Sequence, residues 1–393
     1  MKRQNASACP RVNKTRRACH AEFDREPHRL HLFLCLLIAP ASSLAGDHWT
    51  SAEQMSEAAK AFVQLLDEDQ KEAAVFQLDD AGRTTWSNLP IIMVQPVGLL
   101  ISDMSNEQQI AVHGLLRASM SSQGYGKFSN IMRLEDQAHL EALARLENSA
   151  ESSPLGRAFA ETYNSKHYAV AVFGQPGESD WGWKIAGHHA AANFTVSRGR
   201  VGFTPTFMGS SPMVVRSGEY SGYMALPNEG NRGLELMMAL SKDQQESAII
   251  ADEKPRDVIE GPGRRSSLKK FEGLTADRLS ATQARLLRVL VREYVGNADF
   301  DSADDQMALI EDAGWDKLRF SWRGPVDPDG RFYYRVHGPR ILIEYSRQNE
   351  NHDHTIVRDP KNDYGEDWLG RHYEEHHPSM EQAMENARRA TTR

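Results

Sequence analysis

The sequence predicts an α+β fold in which two antiparallel β-meanders are combined with peripheral helices. Three observations lead there. Helical segments come in separate runs and do not alternate one-for-one with strands, which argues against a doubly wound sheet. Strand-like segments gather in two blocks, 167–207 and 318–348, whose short turns imply antiparallel neighbours. Finally, no GxGxxG follows a strand, and there is no Walker loop and no GxSxG elbow.

At the N-terminus, "HLFLCLLIAPASSLAG" (31–46) is a short apolar run ending in small residues, preceded by a stretch rich in Lys and Arg. That is the pattern of a secretory leader. The expectation is a leader over 1–45 and one α+β domain over 46–393, exported to the periplasm or secreted. The long basic region before the apolar run leaves the true translation start open. Cys9, Cys19 and Cys35, the chain's 3 cysteines, all lie in this leader. The mature chain would then offer no thiol and no disulfide, so a metal there must be held by His, Asp, Glu, Asn or backbone oxygen.

Helix starts follow. "DEDQKEAAV" (67–75), "SNEQQIAVH" (105–113), "SKDQQESAI" (241–249) and "SATQARLLR" (280–288) each place Asp or Ser three residues before Gln and continue into a helical run. This is a capping box, so Asp67, Ser105, Ser241 and Ser280 are expected to be N-caps, not catalytic serines. The likeness hints at an ancient duplication, although no fixed solenoid period runs through the chain. In the first β block, Ser197-Arg198-Gly199 reads as a tight turn; in the second, "DPDG" and "HGP" separate three strands and "HTIVRD" supplies a fourth.

Removing 45 residues from 393 leaves 348, and subtracting the leader's 8 Lys/Arg and 3 Asp/Glu from totals of 46 and 54 gives a net charge of −13. Nucleic acid is therefore not an expected partner, because phosphate contacts need clustered Lys and Arg. "GRRSSLKK" (263–270) sits among Gly, Pro and Ser and reads as an exposed loop. No run after the leader approaches the roughly 20 apolar residues of a membrane helix. A small-molecule substrate or ligand is the remaining partner class, and the oligomeric state is left open.

Histidines carry the chemistry. "NHDHTIVRDPKNDYG" (351–365) places His352 and His354 two apart on a strand, where side chains two apart share a face. Two imidazoles aimed at one point suit zinc, copper or iron; an exposed polar strand end is the plain alternative. "AGHHAAANFTV" holds His188 and His189. Treated as continuous strand, it lets only one of them face a shared site, and His189, in phase with Asn193, is favoured. His188 and Asn193 then become supporting groups or alternative ligands. "LGRHYEEHHP" sets His372 and His376 on one helix face with Glu375 between them, the HxxEH order of inverted zinc peptidases. Only 17 residues follow His376, which leaves little chain for the usual distant Glu ligand. In "RDPKNDYGEDW", Asp363 is placed to cap a helix, while Arg358, Asp359 and Asp363 can instead orient imidazoles.

The blocks "WGWKIAGHHAAANFTV", "FTPTFMGSSP", "NRGLELMMALSKDQQESAII" and "NHDHTIVRDPKNDYGEDWLGRHYEEHH" resemble the domain of unknown function 3500 family, from about Ser51 to His377. The resemblance implies no established activity; it points to the same His-rich blocks.

The leading expectation is an exported mononuclear metalloenzyme. His189, His352 and His354 hold one divalent metal, zinc being slightly favoured over copper or iron, and the chemistry is hydrolytic, or redox with the latter two. Asp359 and Glu375 are the candidate catalytic carboxylates. "TPTFMGSSPM" (204–213), read as turn-rich, would line the pocket through Thr206, Met208, Ser210 and Ser211. The alternative is a non-catalytic exported module that binds a small molecule or a metal.

Overall fold

The computed structural model describes residues 49–147, 153–218 and 220–376, with the side chains of 372–376 outside that description. The leader and its cysteines lie outside it too. All the described residues belong to one of the chain's two contact units, Trp49–Arg393.

The first half runs α1 (Ser51–Gln64), α2 (Glu68–Ala74), β1 (Val75–Phe76), β2 (Leu99–Leu100), α3 (Asn106–Ser119), α4 (Ser122–Glu147), α5 (Pro154–Ala160), β3 (Tyr168–Phe173), β4 (Asp180–Gly187), β5 (Ala190–Ser197), β6 (Arg200–Gly202) and β7 (Thr206–Ser210). The second runs α6 (Glu229–Ala239), α7 (Lys242–Ala248), β8 (Ile249–Ala251), β9 (Leu274–Thr275), α8 (Ala281–Val295), α9 (Phe300–Ala313), β10 (Arg319–Arg323), β11 (Tyr333–Gly338), β12 (Ile341–Asn349), β13 (His352–Arg358) and α10 (Glu366–His376).

Mixed helices and strands are present, but the two expected meanders are not separate. They are the wings of one sheet, ordered β1-β3-β4-β5-β7-β13-β12-β11-β10-β8, joined where β7 and β13 pair antiparallel. The seam escaped sequence reading because β7 falls in a stretch rich in Pro, Gly and Ser.

The halves repeat one another. β1 runs parallel and β2 antiparallel to β3, while β8 runs parallel and β9 antiparallel to β10. Ala191 pairs with Phe207, and Leu342 with Arg358, the same pairing moved 151 residues along in both strands. The expected caps at Asp67, Ser105, Ser241 and Ser280 all form capping boxes. Their glutamines then bond in reciprocal amide pairs, Gln70 with Gln108 at 2.6–3.2 Å and Gln244 with Gln283 at 2.8–3.0 Å. A residue that seals one helix end thereby docks it on the next, in the same way in both halves.

β4 and β5 are buried along almost their whole length. Both faces are covered, so these strands do not show the alternation of a half-solvated sheet. A large apolar cluster, which includes Phe62, Leu116, Phe128, Trp183, Leu287 and Tyr334, joins the helices to the sheet. A second cluster of Trp86, Ala186, Ala191, Phe207, Val258, Ile356 and Tyr364 involves the loops around Trp86, Val258 and Tyr364. Among the described residues no helix is long and apolar enough to cross a membrane.

Candidate metal centre

β13 opens with His352, Asp353 and His354, so the two imidazoles share a face as the spacing requires. The Nε2 atoms of His352 and His354 are 2.9 Å apart. A third ring meets them from the first half: His189 Nε2 lies 2.9 Å from His352 Nε2, although 163 residues separate the two in sequence. The three ligand atoms lie within 4.8 Å of one another, close enough to hold a metal ion.

His189 arrives by a different route from the one the sequence suggested. "GHHA" is not strand: Gly187 pairs with Ala190, and His188 and His189 form the tight turn between β4 and β5. His189 has φ +63, a conformation uncommon outside Gly but one that His, like Asn and Asp, adopts more often than other residues. Strand alternation therefore does not separate the two rings. Instead they lie tilted by 36° with centroids 3.7 Å apart, and both reach the same carboxylate.

That carboxylate is Glu135 of α4, which lies in phase with Phe128 and Ile131 on the buried stripe of the helix. Its Oε2 accepts from His188 Nδ1 at 2.7 Å and its Oε1 from His189 Nδ1 at 2.8 Å. Burial pushes the Glu135 carboxyl up, but the two imidazoles outweigh it and hold the group below its ordinary value. On the other wing, Asp257 Oδ1 accepts from His354 Nδ1 at 2.8 Å. Burial raises Asp257 as well, and the hydrogen bond from His354 brings the net shift downward. Burial pushes His189 down to about 4 and His352 down to about 2, so both rings are neutral at ordinary pH.

These contacts fix the tautomers. His189 and His354 each spend the ring proton on a carboxylate at Nδ1, which leaves a lone pair on each Nε2 aimed at the cluster. His352 can bring at most one Nε2 proton and direct it to one neighbour. The remaining lone pairs repel, and a cation at their centre would relieve this. Ligand nitrogens at 2.0–2.1 Å from a tetrahedral metal stand about 3.3 Å apart, close to the spacing seen here. Three imidazole donors without thiolate suit zinc, copper or iron. Gly209 of β7 makes room for the rings: a Cβ there would come within 2.6 Å of His354 Cδ2 and 3.2 Å of His189 Cδ2.

The cluster opens outward through His352, which lines a cavity of about 620 Å³ with Lys254, Arg256, Arg331, Gln348 and Asn349. Glu253 lies on the same wall. On the opposite face of β13, the buried Asp353 is pushed up to about 8, chiefly by burial and then by Glu229.

Other expected site residues are engaged elsewhere. Arg340 clamps Asp359 bidentately at 2.6–3.1 Å, beyond the far end of β13 and about 16 Å along the strand from His354. It cannot serve as the catalytic carboxylate here. Arg358 donates to the Glu260 carbonyl and to Asp363, and Asp363 also accepts from the Asp359 amide, so it is a clamp inside the turn and not a helix cap. Asn193 donates to the Pro205 carbonyl. Thr206, Met208 and Ser210 belong to buried β7, not to a pocket loop; Thr206 and Ser210 donate to the Phe203 and Pro212 carbonyls, and Met208 packs in the main core. Ser211, half-buried, follows that strand. The side chains of His372, Glu375 and His376 lie outside the described residues.

Glu135, Asp257 and Gly209 went unnoticed in the sequence. A carboxylate in the apolar stripe of α4 was a usable signal for Glu135. Asp257, in a loop, offered none.

No curated protein and no solved structure matches the chain. The sequence pattern of one family does, over residues 49–366, and the chain belongs to it: the family described as protein of unknown function (DUF3500).

Proposed function

We propose that this protein is an exported, mononuclear metal-dependent enzyme whose centre is His189, His352 and His354. One observation carries the reading: three Nε2 atoms converge while Glu135 and Asp257 lock two of the rings in the ligating tautomer. Carboxylate–histidine pairs of this kind orient metal ligands and raise their basicity. Three protein donors beside an open cavity leave a coordination position for water or substrate, as catalytic sites do and closed structural sites do not. Zinc is the favoured metal and hydrolysis the favoured chemistry. In that scheme His189, His352 and His354 would hold the metal, which would supply an acidified water, and Glu253 on the cavity wall is a carboxylate that could take its proton. Export rests on the leader pattern of residues 31–46.

The test uses protein purified without a histidine tag. Metal analysis should find one equivalent of a divalent ion, and added zinc should raise the melting temperature of chelator-treated parent protein. At free zinc a hundred times the dissociation constant the linked gain is about 2.7 kcal/mol. His354→Ala should abolish both. A parent protein that melts at one temperature with chelator, zinc, copper or iron overturns the proposal.

A further inference from the structure

β13 carries a second site on its other face. His352 and His354 point one way; Asp353, between them, points the other way and helps to floor a separate pocket of about 400 Å³. Asp353 is 1% exposed, and its Oδ1 has no hydrogen-bond partner. Its Oδ2 has only a 3.3 Å contact from the Tyr345 hydroxyl. A buried carboxylate oxygen without a donor is costly, and Asp353 lies on the wall of a pocket from which a ligand can supply one.

The rest of the pocket describes that ligand. The first turn of the 11-residue helix α6 lines it through Gly230 and Asn231, and the N-cap residue Asn228 makes no side-chain cap bond there. This end of a helix offers backbone N–H groups and favours negative charge. Arg216 lies on the exposed rim. Met213, Met224 and Leu226 supply an apolar stretch. Arg347 also lines the pocket: Nη1 is spent on the Pro328 and Gly330 carbonyls and Nε faces the Tyr345 hydroxyl, while Nη2 lies beside Gly230 at the start of α6.

We propose that this pocket binds a small amino-carboxylate, a free amino acid or a dipeptide, with its ammonium on Asp353 and its carboxylate toward Arg216 and the start of α6. The proposal is independent of the metal reading, since the two sites share β13 but no lining side chain. The Arg331–Glu350 ion pair joins their rims, Arg331 lining the metal-side cavity and Glu350 this one.

The test is isothermal titration of the full chain, treated with chelator, against the free L-amino acids and a set of dipeptides. Saturable one-to-one binding of at least one is expected. Asp353→Asn should weaken it on the order of thirtyfold or more, as loss of one partner of a buried charge pair does. His189→Ala should leave it within about twofold, because the metal ligands lie across the strand. Should Asp353→Asn fail to fold, Arg216→Ala, an exposed change, decides: a loss of about tenfold supports the site and parent affinity overturns it. No binding by any probe, or loss in His189→Ala with Asp353→Asn unaffected, also overturns it.

Discussion

Replacing Glu135 by Gln is the most informative single change, because it keeps shape and removes one acceptor. In the parent, both carboxylate oxygens accept, one from His188 at 2.7 Å and one from His189 at 2.8 Å. A carboxamide has one acceptor oxygen; its other end is an NH₂ that can only donate. One of the two imidazoles must then turn its Nδ1 into an acceptor and move its proton to Nε2. If that ring is His189, the proton lands where the lone pair was aimed, and a metal ligand is lost. If it is His188, His189 keeps its tautomer but exchanges a charge-assisted bond for a weaker neutral one. Either outcome falls in the range for mutated outer partners of metal ligands, about 10- to 100-fold in affinity. At free zinc fixed at a hundred times the parent dissociation constant, a hundredfold loss cuts the linked stabilisation from about 2.7 to about 0.4 kcal/mol. Thermal melts in a zinc buffer, each paired with a chelator melt of the same variant, separate this from any change in the apo fold. A folded Glu135→Gln protein with the parent's zinc-dependent shift would refute the tautomer argument.

Gly209→Ala should weaken zinc about tenfold or more in a chelator competition and cost about 1–3 kcal/mol as overpacking, since the added methyl meets both His354 and His189; parent-like affinity would mean those rings can move without consequence. His337 tests acid sensitivity away from the metal centre. It is 4% exposed, stacks on Phe271 at 4.1 Å, and is pushed down to about 4 by burial, with Arg335 adding to the effect. Between about pH 6.5 and 4 the unfolded chain binds a proton that the folded chain refuses, so stability is present above that window and is lost as pH falls through it, by at most about 3 kcal/mol. Urea unfolding of chelated protein should show a flatter pH dependence for His337→Gln than for the parent; identical slopes would count against it.

What the sequence made legible follows from how local each signal is. A capping box needs four consecutive residues, and four of the five boxes follow from the Asp/Ser-x-x-Gln pattern; the fifth, Thr50 with Glu53 at α1, uses Thr and Glu instead. The HxH pair needs only a strand, and His352 and His354 converge as the two-residue period demands. His189 does meet His352, but from a turn and not by strand phase, because a hairpin turn between two buried strands leaves no polar break in "AGHHAAAN". β7 was misread as a loop, since its partner β13 lies about 150 residues away and its own Pro, Gly and Ser suggest turns. For Asp359 the sequence cannot show that Arg340 already holds it. Glu135 and Asp257 are contacts between distant segments, which no local pattern records.

The repeated architecture explains why the centre sits where it does. The same two-residue hairpin occurs twice, and in register with His188-His189 the second half carries Pro339-Arg340. Arg340 there closes onto Asp359, and Gln306 of α9 donates to the Arg340 carbonyl. In the first half it is Glu135 of α4 that receives both histidine rings. An Arg–Asp pair holds the second hairpin down with its own internal charge balance. Three imidazoles cannot do that for each other. The second hairpin is therefore a closed structural joint, and the first would be closed in the same sense by the cation proposed above. His189 belongs to one half and His352 and His354 to the other, so a metal bound there ties the halves together across the β7–β13 seam. Its affinity and the stability of that seam are then one quantity, measured by the same zinc-dependent melt.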